Sequence, residues 1–149
     1  MKYDISALGN ALVDTQYMVD HDFLDEIGLE ADSMTLASAE EHSPIIDKLE
    51  SMGVESVSDC GGSATNSLVA ASYYGSKCHH VCRVANDEDG KKYLESLQKA
   101  GVQHIGYSKE DSEMPTGKCL IFVTPDAKRT MSSMLGISAY LGSKDINYD

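Results

Sequence analysis

Tryptophan is absent from the 149 residues, proline occurs only three times, and no apolar run approaches the roughly 18 residues of a bilayer-spanning helix. Neither end carries a basic segment leading into an apolar stretch, so the sequence reads as that of a cytoplasmic protein with no membrane partner. Basic residues are also scarce: 12 Lys and Arg stand against 24 Asp and Glu, for a formal net charge of -12. Phosphate backbones are bound by positive faces, so a nucleic-acid partner is excluded and the charge is read as serving solubility. The four cysteines include no CxxC pair, which argues for reduced thiols and against a disulfide framework. In Cys78-His79-His80-Val81-Cys82 the alternate residues Cys78, His80 and Cys82 share one face of an expected strand. No fourth ligand is evident, so these are taken as buried strand residues and no metal is expected.

What is present is a 42% hydrophobic chain able to bury one ordinary core. Tyr3 to Leu8 alternates as a strand and ends at the turn signal Gly9-Asn10. Gln16 to Val19 predicts a short strand, Asp20 caps a helix that stops at Gly28, and Ser33 to Ala37 predicts another strand. Ser38-Ala39-Glu40-Glu41 has the form of a capping box, but Pro44 would then lie deep in the helix. Ser43 as N-cap makes Pro44 the first helical residue, and that start is the one expected. Beyond it the order is strand Val54 to Asp59, helix Ala64 to Tyr74, strand Lys77 to Val84, helix Asp87 to Ala100 and strand Val102 to Tyr107. Ser108 to Pro115 reads as a loop, and Lys118 to Val123 with Arg129 to Met134 as a hairpin.

Strands alternating with helices imply an α/β fold with a mostly parallel sheet. The strands near residues 16, 33, 118 and 130 break that alternation and are assigned to a separate small sheet over a site. One loop carries a chemical suggestion. In Cys60-Gly61-Gly62-Ser63-Ala64-Thr65-Asn66 two glycines precede an apolar helical run. Glycines let a ligand approach a helix start whose amides are unpaired and partly positive, but they also serve as plain turn residues. The spacing is neither GxGxxG nor GxxxxGK[ST], so it supports no Rossmann or Walker phosphate site, and both readings stay open.

Three landmarks in order, Gly9-Asn10-Ala11-Leu12-Val13-Asp14, Gly61-Gly62-Ser63-Ala64-Thr65-Asn66 and Pro115-Thr116-Gly117-Lys118-Cys119, resemble those of the PfkB (ribokinase-like) carbohydrate kinases. With Val19 to Asp25, they are most similar to the adenosine kinase and sugar kinase branch. The resemblance implies a ribokinase-like three-layer parallel sheet with helices on both faces. It adds a small β lid from segments at about 15–37 and 114–134, with residues 1–149 forming the N-terminal part of the kinase domain. It implies ATP-dependent phosphorylation of a hydroxymethyl group on an adenosine-like nucleoside or a sugar, with Asn10, Asp14, Gly62, Ser63 and Asn66 binding that substrate. Leu36, Leu120 and Phe122 become candidate lid contacts, and Arg129 a stabiliser of the transferring phosphate.

The family's Gly-Ala-Gly-Asp and Asn-x-x-Glu motifs do not occur in the sequence. The resemblance therefore assigns ATP and magnesium to a full-length parent, with no cofactor tightly bound by this chain. The expectation is an incomplete, truncated half that is inactive alone and self-associates, as a homodimer or otherwise, through the lid or an exposed sheet edge. The alternative is a non-catalytic sugar- or nucleoside-binding module.

Overall fold

The structure, a computed structural model, describes residues 2–106 and 113–146. Tyr107, most of the expected loop from Ser108, and the end at Asn147-Tyr148-Asp149 lie outside the described residues. The chain divides into two compact units, the first Met1–Val13, Asp59–Gly117 and Leu135–Asp149, the second Asp14–Ser58 and Lys118–Met134.

In the first unit β1 (Ile5–Leu8), β5 (Cys78–Val81) and β6 (Gln103–His104) form a sheet in the order β1-β5-β6. Both pairings are parallel, with Ala7 opposite His80 and His80 opposite His104. The crossovers are α3 (Ser63–Tyr73), which packs on β1 and β5, and α4 (Glu88–Lys99), which packs on β6. Tyr93, Leu94 and Leu97 recur at helical spacing on α4 and are buried with Leu68, Cys78, Val84 and Val102. Each such side chain contributes about 1.5–3 kcal/mol when removed from water. The βαβ expectation therefore stands on parallel pairing, although β5 and β6 are shorter than the predicted strands.

The second unit centres on a five-stranded sheet in the order β3-β8-β7-β2-β4: β2 (Leu12–Met18), β3 (Met34–Leu36), β4 (Ser56–Gly61), β7 (Gly117–Val123) and β8 (Arg129–Met134). The four strands that broke the alternation thus share one sheet, joined by β4. β7 and β8 pair antiparallel, Val123 opposite Arg129, as the hairpin spacing predicts. α1 (His21–Glu26) is capped by Asp20, whose carboxylate accepts from Phe23 N at 2.8 Å. The expected start of the next helix at Pro44 is corrected: α2 runs Ala39–Ser51 with Pro44 inside it. Ser38 Oγ accepts from Glu41 N, and Glu41 Oε2 accepts from Ser38 N at 2.7 Å, completing the capping box. Two capping bonds and an added turn outweigh the one ladder bond that proline removes, because the carbonyl it orphans belongs to exposed Glu40, where water replaces it. That added turn also carries His42, buried with its Nε2 3.0 Å from Ser132 Oγ. α2 clusters with this second unit, whereas the sequence placed it in the main alternation.

Candidate functional site

The glycine loop is built by close packing of backbone. β1 ends at Leu8, and a Cβ on Gly9 would stand 2.6 Å from Ala64 Cβ. A Cβ on Gly62 would stand 2.4 Å from the carbonyl oxygen of Asn10, and Gly62 holds φ +100°. Both glycines are therefore required for the turn after β1 to lie against the first turn of α3. The turn reading of the motif is thus correct, and it produces the geometry that the ligand reading needs. Gly62 is the N-cap of α3 and has no side chain to cap it; the ladder begins with Asn66 N donating to Gly62 O at 2.9 Å. The amides of Ser63, Ala64 and Thr65 precede that ladder and carry the partial positive charge of the helix start. Asn10, Ser63 and Asn66 are exposed beside it. An array of amide, hydroxyl and carboxamide groups of this kind recognises hydroxyl-bearing ligands.

Beneath the exposed face of α3, Thr65 points inward and is wholly buried. Its Oγ1 lies 2.9 Å from His80 Nε2 and 2.6 Å from Tyr93 Oη, and His80 Nδ1 lies 3.3 Å from Ala7 O. Burial holds the His80 pKa below the ordinary histidine value, against the opposing bond to Ala7 O, so the ring is neutral at pH 7. The sequence places His80 on one strand face with Cys78 and Cys82 and does not reveal this cluster. Its signal was alternation: His80 faces the same side as Cys78 and Cys82, which is the core. Among the described residues no group of three or more His, Cys, Asp or Glu is placed to hold a metal. Burial pushes the Cys82 thiol up to about 12 and raises Cys78 as well, so neither offers a thiolate.

The third landmark is held by Asp87, which the sequence places at the start of a helix. Asp87 Oδ1 accepts from Gly90 N and from Thr116 Oγ1, both at 2.7 Å, and Oδ2 accepts from Thr116 N at 2.8 Å. Thr116 Oγ1 in turn accepts from Ala85 N at 3.0 Å. Burial alone would raise the Asp87 carboxyl, but the bonds from Thr116 and Gly90 outweigh it and hold the group below its ordinary range. At Gly117 an added Cβ would meet Leu12 Cδ2 at 2.6 Å and the carbonyls of Ala11 and Leu135 at 2.7 Å. Gly117 thus lets the third landmark lie directly against the backbone of Ala11 and the side chain of Leu12.

The remaining candidates lie in the second unit. Asp14, half-buried on β2, is near enough to Cys119 for its charge to add to the burial that raises that thiol, against an opposing bond from Ser133. Arg129 is exposed at the start of β8. The three apolar lid candidates separate. Leu36 is 67% exposed and lines a cleft of about 700 Å³ with Ile27, Leu29, Thr35 and Ile45. Leu120 and Phe122 have no exposed surface and pack with Tyr17, Phe23, Leu24 and Leu49. Both side chains face the cluster formed with α1 and α2, on the opposite side of β7 from buried Cys119 and Ile121.

Comparison with known proteins identifies the family. Residues 34–148 match the model of the pfkB family carbohydrate kinases. The chain is 30% identical over 88 residues to a ribokinase from Mus musculus, an alignment covering 58% of this chain and 26% of that protein. Adenosine kinase 1 from Arabidopsis thaliana is 27% identical over 137 residues, covering 89% of this chain and 38% of the relative. The crystal structure of adenosine kinase from Sinorhizobium meliloti superposes with a TM-score of 0.85 at 30% identity, covering 99% of this chain and 43% of that one. The chain therefore spans less than half the length of these relatives.

Proposed function

This chain belongs to the pfkB family of carbohydrate kinases and has the α/β ribokinase-like fold; from that premise we propose that it supplies the substrate-binding part of a kinase that phosphorylates a hydroxymethyl group of a nucleoside or sugar. The observation that carries the reading is the contact of Gly62 with the Asn10 carbonyl, which sets an uncapped helix start beside an exposed carboxamide. In this reading Asn10, Ser63 and Asn66, with the Gly62 loop, bind the ring hydroxyls, and Asp14 accepts hydrogen bonds from a vicinal pair. In the same reading the segments at about 15–37 and 114–134 act as the lid, Leu36 is an apolar contact, and Arg129 offsets charge on the transferring phosphate. The adenosine kinases among the relatives favour the nucleoside over the simple sugar.

Phosphoryl transfer rests on positioning and charge stabilisation. The residues present position the acceptor hydroxyl. The family implies ATP, with magnesium typical of it, and this reading assigns both to the full-length kinase. Self-association belongs to the same proposal: Met34 and Leu36 on edge strand β3 and Val57 on edge strand β4 are 59%, 67% and 73% exposed.

Titration calorimetry with adenosine and with ribose tests the reading. Saturable binding of one of them, weakened at least tenfold by Asn66→Ala and by Asp14→Ala, is expected, each substitution removing about one hydrogen-bonded polar contact. Binding that survives both substitutions unchanged would place the ligand elsewhere.

A further inference from the structure

The buried cluster under α3 has a defined direction. Ala7 O can only accept, so His80 Nδ1 carries the proton and donates to it. Nε2 of the neutral ring is then an acceptor, and Thr65 donates its hydroxyl proton to it. Tyr93 completes the sequence by donating to Thr65 Oγ1. Three elements meet at one imidazole: α3 through Thr65, α4 through Tyr93 behind it, and β1 through Ala7.

Ala7 lies three residues before Asn10, and Thr65 lies between Ser63 and Asn66 on the first turn of α3. The two limbs of the candidate site are therefore tied to the same ring, from the buried side, while their functional side chains face solvent. Backbone contact at Gly62 and Gly9 sets how close these limbs come, but contact alone leaves sliding open. Directional bonds to a rigid ring close that freedom.

We infer that His80 is a positioning residue for the substrate site, holding Thr65 on the α3 turn and Ala7 on the β1 strand so that Asn10, Ser63 and Asn66 keep one mutual register. This rests on the substrate-binding reading given above. Its requirement for a hydroxyl at position 65 is specific: Thr65→Val keeps the shape and removes the hydroxyl, whereas Thr65→Ser keeps the hydroxyl.

The test uses the full chain, with adenosine and ribose as probes. Thr65→Val should raise the dissociation constant of whichever probe binds by about tenfold, the loss expected from one net buried hydrogen bond. Thr65→Ser should restore it to near wild type. Leu97→Ala, in the same core but outside the brace, should lower the thermal midpoint and leave the dissociation constant of the folded protein unchanged. In the unliganded wild type, imidazole ¹⁵N shifts should show His80 protonated at Nδ1 and bare at Nε2. Equal affinity of wild type and Thr65→Val, equal loss in Leu97→Ala, or an Nε2-protonated His80 overturns the brace while the substrate site stands. Absence of binding by the wild-type chain overturns the substrate site itself, and the positioning role with it.

Discussion

Replacing Gly62 by alanine separates two costs that the structure places at one residue. The first is conformational: φ +100° with ψ 142° is a region that side chains avoid, at about 1–3 kcal/mol. The second is steric, since the new Cβ would stand 2.4 Å from Asn10 O and ordinary contact begins at 3.4 Å, so the two segments must part by 1.0 Å (3.4 − 2.4). Overpacking of this size costs about 1–3 kcal/mol more. Gly75 is the control for a positive φ, because it holds φ +92° with nothing within 4 Å of an added Cβ and so carries no steric cost. Urea unfolding followed by circular dichroism should therefore show Gly62→Ala destabilised by about 2–6 kcal/mol, with an excess of about 1–3 kcal/mol over Gly75→Ala. The parting also moves Asn10 away from α3, and a displacement of about 1 Å at a binding array is expected to cost roughly 100-fold in function. Equal stability of the two variants, or unchanged ligand affinity in Gly62→Ala, would refute the close approach as the organiser of the site.

Three further outcomes follow from the same geometry. Asp87→Ala removes the acceptor of three hydrogen bonds, one of them an N-cap and one from the amide of buried Thr116, and should cost about 2–4 kcal/mol in chemical denaturation; a cost under about 0.5 kcal/mol would contradict its role. Leu120→Ala should lose about 2–5 kcal/mol and Leu36→Ser almost nothing, a contrast read from their unfolding midpoints that reverses if the faces of β7 and β3 are assigned wrongly. Acid should weaken the fold in two stages. His42, His79, His80 and His104 all lie below the ordinary 6.5, chiefly through burial, so the unfolded chain takes up protons first and stability present above about pH 6.5 declines as pH falls. Asp87 and Asp145 are held below 3.8, against the opposing effect of burial, by bonds from Thr116 and Gly90 and from Arg83 and Gly142, so a second decline follows near pH 4. A thermal midpoint that rises between pH 7.5 and 5.5 would contradict the first stage.

Patterns written in consecutive residues were legible. The helix from Asp87, the Asp20 cap and the five-residue hairpin loop are all written in local sequence. What escaped were the contacts between distant residues. Local rules placed a helix start at Pro44, whereas the capping box and the burial of His42 against Ser132 extend the helix by more than a turn. The alternation of β7 does not say which face packs against α1 and α2, so the burial of Leu120 and Phe122 beside Tyr17 and Phe23 is not legible in it. At the site, the glycines and exposed polar groups were visible in one motif. The Thr65, His80 and Tyr93 cluster and the clasp of Asp87 on Thr116 were not, because each joins landmarks tens of residues apart.

The measurement that bears most directly on the substrate-binding reading is a residue-resolved amide spectrum of the ¹⁵N-labelled chain, titrated with adenosine and then with ribose. The account predicts saturable shifts concentrated at Asn10, Asp14, Gly62, Ser63 and Asn66, with one probe binding more tightly than the other. Shifts confined to other residues, such as those around the cleft at Leu36, Ile27 and Ile45, or no shifts with either probe, would contradict it.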